Sequence, residues 1–211
     1  MRYFGKTGMK IKRVGFGGIP IQRISQEDTN KVIDELEKCG VNFIDTARGY
    51  TVSEEYLGNA LKGRREKFYI ATKSMSRDYE SMKRDIEISL KNLQTDYIDL
   101  YQMHNVKPAE YDTIFGEDRA YRALLEAKEA GKIKHIGITS HGLETVEKAV
   151  ESGKFETIQF PYNIVENQAD EVFKKAHEKG VGTIVMKPLA GGAIDDGTLA
   201  MKYILSREYI D

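Results

Sequence analysis

The chain contains no tryptophan, one cysteine, four prolines and four histidines among its 211 residues. With Cys39 alone, neither an intramolecular disulfide framework nor a cysteine-rich metal cluster can form, and a reducing, cytoplasmic setting is expected. An excess of one charge is missing too: 32 Lys and Arg stand against 33 Asp and Glu, a formal net charge of -1, so nothing global attracts nucleic acid. Long apolar runs are absent. Mean hydropathy is -0.50 and charged residues interrupt the apolar stretches, which argues against a spanning helix and a membrane partner. The basic start MRYFGKTGMK lacks a following apolar stretch and does not read as a secretory signal. No long linker, low-complexity tract or charge block divides the chain. Its 40% hydrophobic residues suffice for a sizeable core, so residues 1–211 read as one domain.

What is present is a repeated grammar. A hairpin from Tyr3 to Arg13, turning at Thr7 and Gly8, precedes a first strand and loop over Val14 to Gly18. Helical periodicity then alternates with short apolar strands: helix Gln26 to Cys39 and strand Val41 to Asp45, helix Glu54 to Leu61 and strand Phe68 to Lys73, helix Asp78 to Leu93 and strand Tyr97 to His104. Three further pairs follow, Arg119 to Ala130 with Lys134 to Thr139, Leu143 to Ser152 with Glu156 to Phe160, and Ala169 to Lys179 with Gly182 to Lys187; a last helix covers Leu199 to Ser206. Gly40, Gly131, Gly153 and Gly180 stand at helix exits, where positive φ turns the chain back to the sheet. About seven strand-helix units at this spacing predict right-handed crossovers in a parallel sheet. The expected fold class is α/β, a TIM barrel of (β/α)8 type with about seven of eight units present, and a doubly wound open sheet is the alternative.

In such a barrel the loops after the strands carry the chemistry. Asp45, Tyr50, Lys73 and His104 stand there. Each has a plain reading: Asp45 as a loop cap, Tyr50 as rim cover, Lys73 as a solvated tip, His104 as a packed histidine. Together they suit proton donation to a carbonyl, with Tyr50 as acid, the Lys73 ammonium stabilising its anion, Asp45 holding that ammonium and His104 orienting the substrate oxygen. Such a reduction needs a hydride, which no side chain supplies and a nicotinamide does. Gly15, Gly17 and Gly18 suit close backbone approach at the mouth without forming a GxGxxG fingerprint. A second reading is metal-assisted hydrolysis with Asp45, His104 and His141 as ligands; no HExxH is present and no metal is expected. Cys39 reads as a packed helix-end residue, Tyr101 and Phe160 as barrel packing, and Arg64, Arg65 and Lys67 as too small a basic cluster for RNA or DNA.

The segment GVNFIDTARGYTVSEEYLG from Gly40 to Gly58, IATK ending at Lys73 and DLYQMH ending at His104 resemble the aldo-keto reductase family, in particular its bacterial and archaeal oxidoreductase-like members. The resemblance runs through nearly the whole chain. It implies reversible NAD(P)H-dependent reduction of a small aldehyde or ketone, with Asp45, Tyr50, Lys73 and His104 as the catalytic set. It also implies NADP, or alternatively NAD, held by Gly18, Ile19, Asp45, Ser140 in GITSH, Gln159 in IQFPYN, and Met186, Lys187, Leu189 and Gly191 in MKPLAGG. His141 stands where many relatives have Asn, and Met186 where many have an aromatic residue that stacks on the nicotinamide. The ending departs further: Glu208 to Asp211 stand where relatives continue into an eighth strand and helix with residues that clamp the adenosine phosphate. The expectation is a barrel incomplete at its C-terminus, with an open edge that a homo-oligomer could cover. The alternative it raises is a catalytically impaired or noncatalytic cofactor-binding barrel.

Overall fold

The computed structural model describes residues 1–211. The N-terminal hairpin pairs β1 (Arg2–Tyr3) with β2 (Lys10–Ile11), Arg2 opposite Ile11. The main sheet follows in chain order: β3 (Phe16–Gly17), β4 (Phe43–Asp45), β5 (Tyr69–Ser74), β6 (Ile98–Met103), β7 (Ile133–Thr139), β8 (Thr157–Pro161) and β9 (Gly182–Met186). Every neighbouring pair is parallel, and the spatial order β3 to β9 repeats the sequence order without reversal. A doubly wound sheet reverses its strand order at a switch point. The monotonic order instead curls into a partial (β/α)8 barrel, open between β3 and β9.

The crossovers are helical: α1 (Gln26–Lys38), α2 (Ser53–Ala60), α3 (Tyr79–Leu93), α4 (Ala120–Glu129), α5 (Leu143–Ser152), α6 (Asp170–Lys179) and α7 (Gly197–Leu205). In α3 the buried positions Met82, Ile86, Ser89 and Leu93 recur every three or four residues, the spacing that keeps one stripe against a sheet. Ser25 caps α1 by accepting the Asp28 N–H at 3.0 Å. α7 begins two residues before its expected start because Asp196 accepts the Leu199 N–H at 2.9 Å. The stretch after His104 is not open loop: Pro108–Phe115 winds into 3-10 turns and buries Tyr111 and Ile114. Cys39 lies exposed after α1, not packed as its position suggested, because α1 turns its Thr29 and Ile33 face inward instead.

Two apolar regions result. The larger lies between sheet and helices and takes the outward-facing strand residues Ile44, Ile70, Tyr101, Ile138, Ile158 and Phe160. The smaller fills the base of the barrel, where Phe4, Met9 and Ile11 of the hairpin meet Phe43, Ala71 and Leu100. Gly5 makes that seating fit: its φ is +48°, and a Cβ there would lie 2.4 Å from the Gly182 nitrogen. The β9 edge is partly covered by the chain after α7. Arg13 donates to the carbonyls of Leu205 at 2.6 Å, Arg207 at 2.8 Å and Ile210 at 3.1 Å. Arg2 donates to those of Glu208 at 2.6 Å and Ile210 at 2.8 Å. Asp211 accepts the Thr183 N–H at 3.0 Å, and Ile210 is buried.

Candidate active site

Strand alternation builds the site. Side chains two apart share a face, so Phe43 and Asp45, Ala71 and Lys73, Leu100 and Gln102 each send an apolar residue to the base and a polar one towards the mouth. The parallel register sets Lys73 opposite Gln102 and Thr139 opposite Gln159. The mouth opens into a cavity of about 620 Å³ whose lining includes Asp45, Tyr50, Lys73, His104, Gln159 and Met186.

Asp45 is the electrostatic centre. Its carboxylate accepts from Lys73 Nζ at 2.5 Å, Gln102 Nε2 at 3.1 Å and Gln159 Nε2 at 3.3 Å. Lys73, only 3% exposed, also donates to the Thr46 carbonyl at 2.8 Å, so its buried charge is fully paired. The same ammonium lies 5.1 Å from the centre of the Tyr50 ring, and that ring meets His104 edge-on with centroids 6.1 Å apart. Burial, then the Asp45 charge, pushes the Tyr50 phenol up to about 12. The shift runs opposite to the one expected from Lys73 because burial first, and the Asp45 charge second, disfavours the anion. Burial, then Lys73, pushes His104 down to about 4, so the ring is neutral at pH 7. Tyr50 protonated and His104 neutral can both donate a hydrogen bond to a substrate oxygen.

The other expected cofactor residues divide. Gly18, Ile19, Gln159, Met186 and Lys187 line the cavity; Ser140, Leu189 and Gly191 do not. The Ser140 hydroxyl is buried and engaged, donating to the Val106 carbonyl at 2.6 Å and accepting the Gly142 N–H at 2.9 Å. Its neighbours Thr139 and His141 face the cavity instead. Leu189 and Gly191 belong to the turn after β9, where Gly191 adopts φ +71°. Gly18 packs onto β4: its N–H reaches the Asp45 carbonyl at 2.7 Å, and a Cβ would lie 2.9 Å from Ser53 Oγ. Gln102 was not singled out in the sequence, although the alternation of DLYQMH places Leu100, Gln102 and His104 on one face.

The buried atoms His104 Nδ1 and Gln159 Oε1 have no hydrogen-bond partner within the chain. An unpaired buried acceptor is costly, and a carboxamide N–H of a nicotinamide would satisfy the one on Gln159, so the residues present fit that group. Asp45, His104 and His141 do not form a group of side chains able to hold a metal ion. No helix is long and apolar enough to cross a membrane.

The sequence profile described as the Aldo/keto reductase family matches residues 13–208. The chain belongs to the aldo/keto reductase family. Among curated members, L-galactose dehydrogenase of Arabidopsis thaliana is 31% identical over 216 residues, covering 93% of this chain and 67% of its own length. Aldo-keto reductase YhdN of Bacillus subtilis is 30% identical, with 89% of this chain and 61% of that protein aligned. Among solved aldo-keto reductases, the holo form of AKR11C1 from Bacillus halodurans superimposes with a TM-score of 0.79 at 30% identity, over 90% of this chain and 67% of that one. PA4992 from Pseudomonas aeruginosa gives a TM-score of 0.88 at 25% identity, over 99% of this chain and 85% of that one. The chain thus spans about two thirds of the length of the curated aldo-keto reductases it matches.

Proposed function

We propose that the protein reversibly reduces a small aldehyde or ketone to an alcohol with NAD(P)H, NADP being the expected cofactor and NAD the alternative. One observation carries the reading: Tyr50, Lys73, Asp45 and His104, from three strand ends and one loop, converge on a single cavity with Tyr50 protonated and His104 neutral at pH 7. Bound nicotinamide would supply the hydride to the carbonyl carbon. Gln159 would accept from its carboxamide, and Gly18, Ile19, Met186 and Lys187 would border it. Tyr50 and His104 hold the substrate oxygen, and Tyr50 Oη–H gives its proton to that oxygen as negative charge develops there. Lys73 then lies close enough to steady the tyrosinate, while Asp45 keeps the ammonium in place. Reprotonation of Tyr50 from solvent completes the cycle.

The test is a titration of NADPH and NADH into the 211-residue protein followed by nicotinamide fluorescence, then a panel of small carbonyls. Saturable binding and cofactor oxidation that Tyr50→Phe abolishes are the expected results. Binding without turnover on any carbonyl would favour the noncatalytic cofactor-binding reading, and folded protein that binds neither cofactor would overturn the assignment for this chain.

A further inference from the structure

Tyr50 sits in a turn that its own backbone does not favour. Thr51, directly after it, has φ +40°, a left-handed conformation that is a true outlier for a β-branched residue. Such a conformation is strained and persists only where its surroundings over-determine it. The surroundings are visible. Arg48 and Glu54 bracket the turn, and the Arg48 Nη1–H donates to Glu54 Oε2 at 2.7 Å. Glu54 is fully buried at the start of α2, yet its carboxylate is saturated: Thr72 Oγ1 donates at 2.8 Å, Ser89 Oγ at 2.7 Å and Asn92 Nδ2 at 3.3 Å.

The same residue also reaches the strand that carries Lys73, through its backbone. The Arg48 backbone N–H donates to the Lys73 carbonyl at 2.9 Å, and Arg48 Nε lies 3.9 Å from Asp85 of α3. Glu54 holds Thr72, and Asp85 holds the hydroxyls of Ser74 and of Ser76, the latter at 2.6 Å. Lys73 is therefore moored on both sides by carboxylates that Arg48 faces. None of these three groups lines the cavity.

We propose that the Arg48–Glu54 ion pair is a positioning clasp: it closes the strained turn that holds Tyr50 over Lys73 and ties that turn to the β5 end. Arg48 and Glu54 are positioning residues, acting through Tyr50 and Lys73 without touching substrate. Breaking the clasp lets Thr51 relax, and the Tyr50 ring moves off His104.

The turnover arm of the test rests on the reductase reading; the titration arm does not. Arg48→Met, Arg48→Lys and Glu54→Gln are compared with the unchanged chain for thermal midpoint, for kcat and KM with a small aldehyde, and for the His104 titration by NMR, assigned with His104→Gln. Arg48→Met is expected to lower kcat by about 10²-fold, the scale of a roughly 1 Å misplacement, with cofactor affinity changed less than about twofold. In the same variant the His104 midpoint should climb from about 4 towards its ordinary value of 6.5 as the ring becomes exposed. Arg48→Lys should recover much of both, since it restores the charge beside Glu54. If the unchanged protein turns over no carbonyl, the reductase reading fails while the titration still reads the clasp. Folded Arg48→Met and Glu54→Gln that keep the His104 midpoint near 4 would overturn the proposal. So would the failure of both variants to fold, which would make the pair a support of the barrel as a whole.

Discussion

The base and the mouth of this barrel are built from the same strands by residues two positions apart, yet they obey opposite rules. At the base, Phe43, Ala71 and Leu100 meet Phe4, Met9 and Ile11 in an apolar plug. At the mouth, Asp45, Lys73 and Gln102 are also buried or nearly so, and each is held by hydrogen bonds instead of by exclusion of water. An apolar plug stabilises in proportion to the area it removes from water. A buried ion pair at best repays its desolvation. The division follows: the base holds the fold, and the mouth carries the proposed chemistry.

Substitutions can break that division or sharpen it. The largest effect is expected from Tyr50→Phe, which removes the proposed acid and should cut turnover by about 10²–10⁴-fold with the thermal midpoint unchanged; equal turnover in the two proteins would end its assigned role. Phe4→Ala, at the base, should cost about 3–5 kcal/mol of stability, measured by urea denaturation, while cofactor affinity of the folded fraction stays as it was. A loss of affinity there would show that base and mouth are coupled.

Acid should act on the mouth through His104. Its unfolded value of 6.5 exceeds its folded value of about 4, so the unfolded state binds the extra proton between them. His104's contribution to stability is complete above about pH 6.5 and declines as pH falls towards about 4; denaturation midpoints at pH 7 and pH 4.5 should therefore differ less in His104→Gln than in the unchanged chain. The smallest effect is expected from Gln102→Met. It deletes a donor to Asp45, but also Gln102 Oε1, a buried acceptor without a partner. These offset, so stability should stay within about 1 kcal/mol, and calorimetry showing a larger drop would mark the mouth as a stabilising region after all.

Most of the architecture was legible along the chain. Helical periodicity and the glycines at helix exits placed the strands, and a residue at a strand's carboxyl end is at the mouth by topology alone. Asp45, Lys73 and His104 were found that way, and Tyr50 through the loop after Asp45. Partnerships between strands were not legible, because register is a three-dimensional property: nothing local pairs Gln102 with Asp45, 57 positions away. The direction of the Tyr50 shift was missed for the same reason, since it depends on how far the fold buries the phenol and brings the Asp45 charge near it. The Ser140 bond to the Val106 carbonyl was not legible either, the two residues being 34 positions apart in sequence. Glu54 was expected only as the start of a helix, and only packing shows that its carboxylate is buried behind the Tyr50 turn.

The two arginines that grip the chain after α7 join residues 192 to 208 positions apart. Those bonds are long-range, so they can form only once the strands between have brought the two segments together. Arg2 and Arg13 hold carbonyls, so their grip depends on the path of residues 205–210, which the buried Ile210 and the Tyr209 hydroxyl, donating to Asp170 at 2.6 Å, help to set. Covering the edge thus rests on a path that other side chains of the same segment fix.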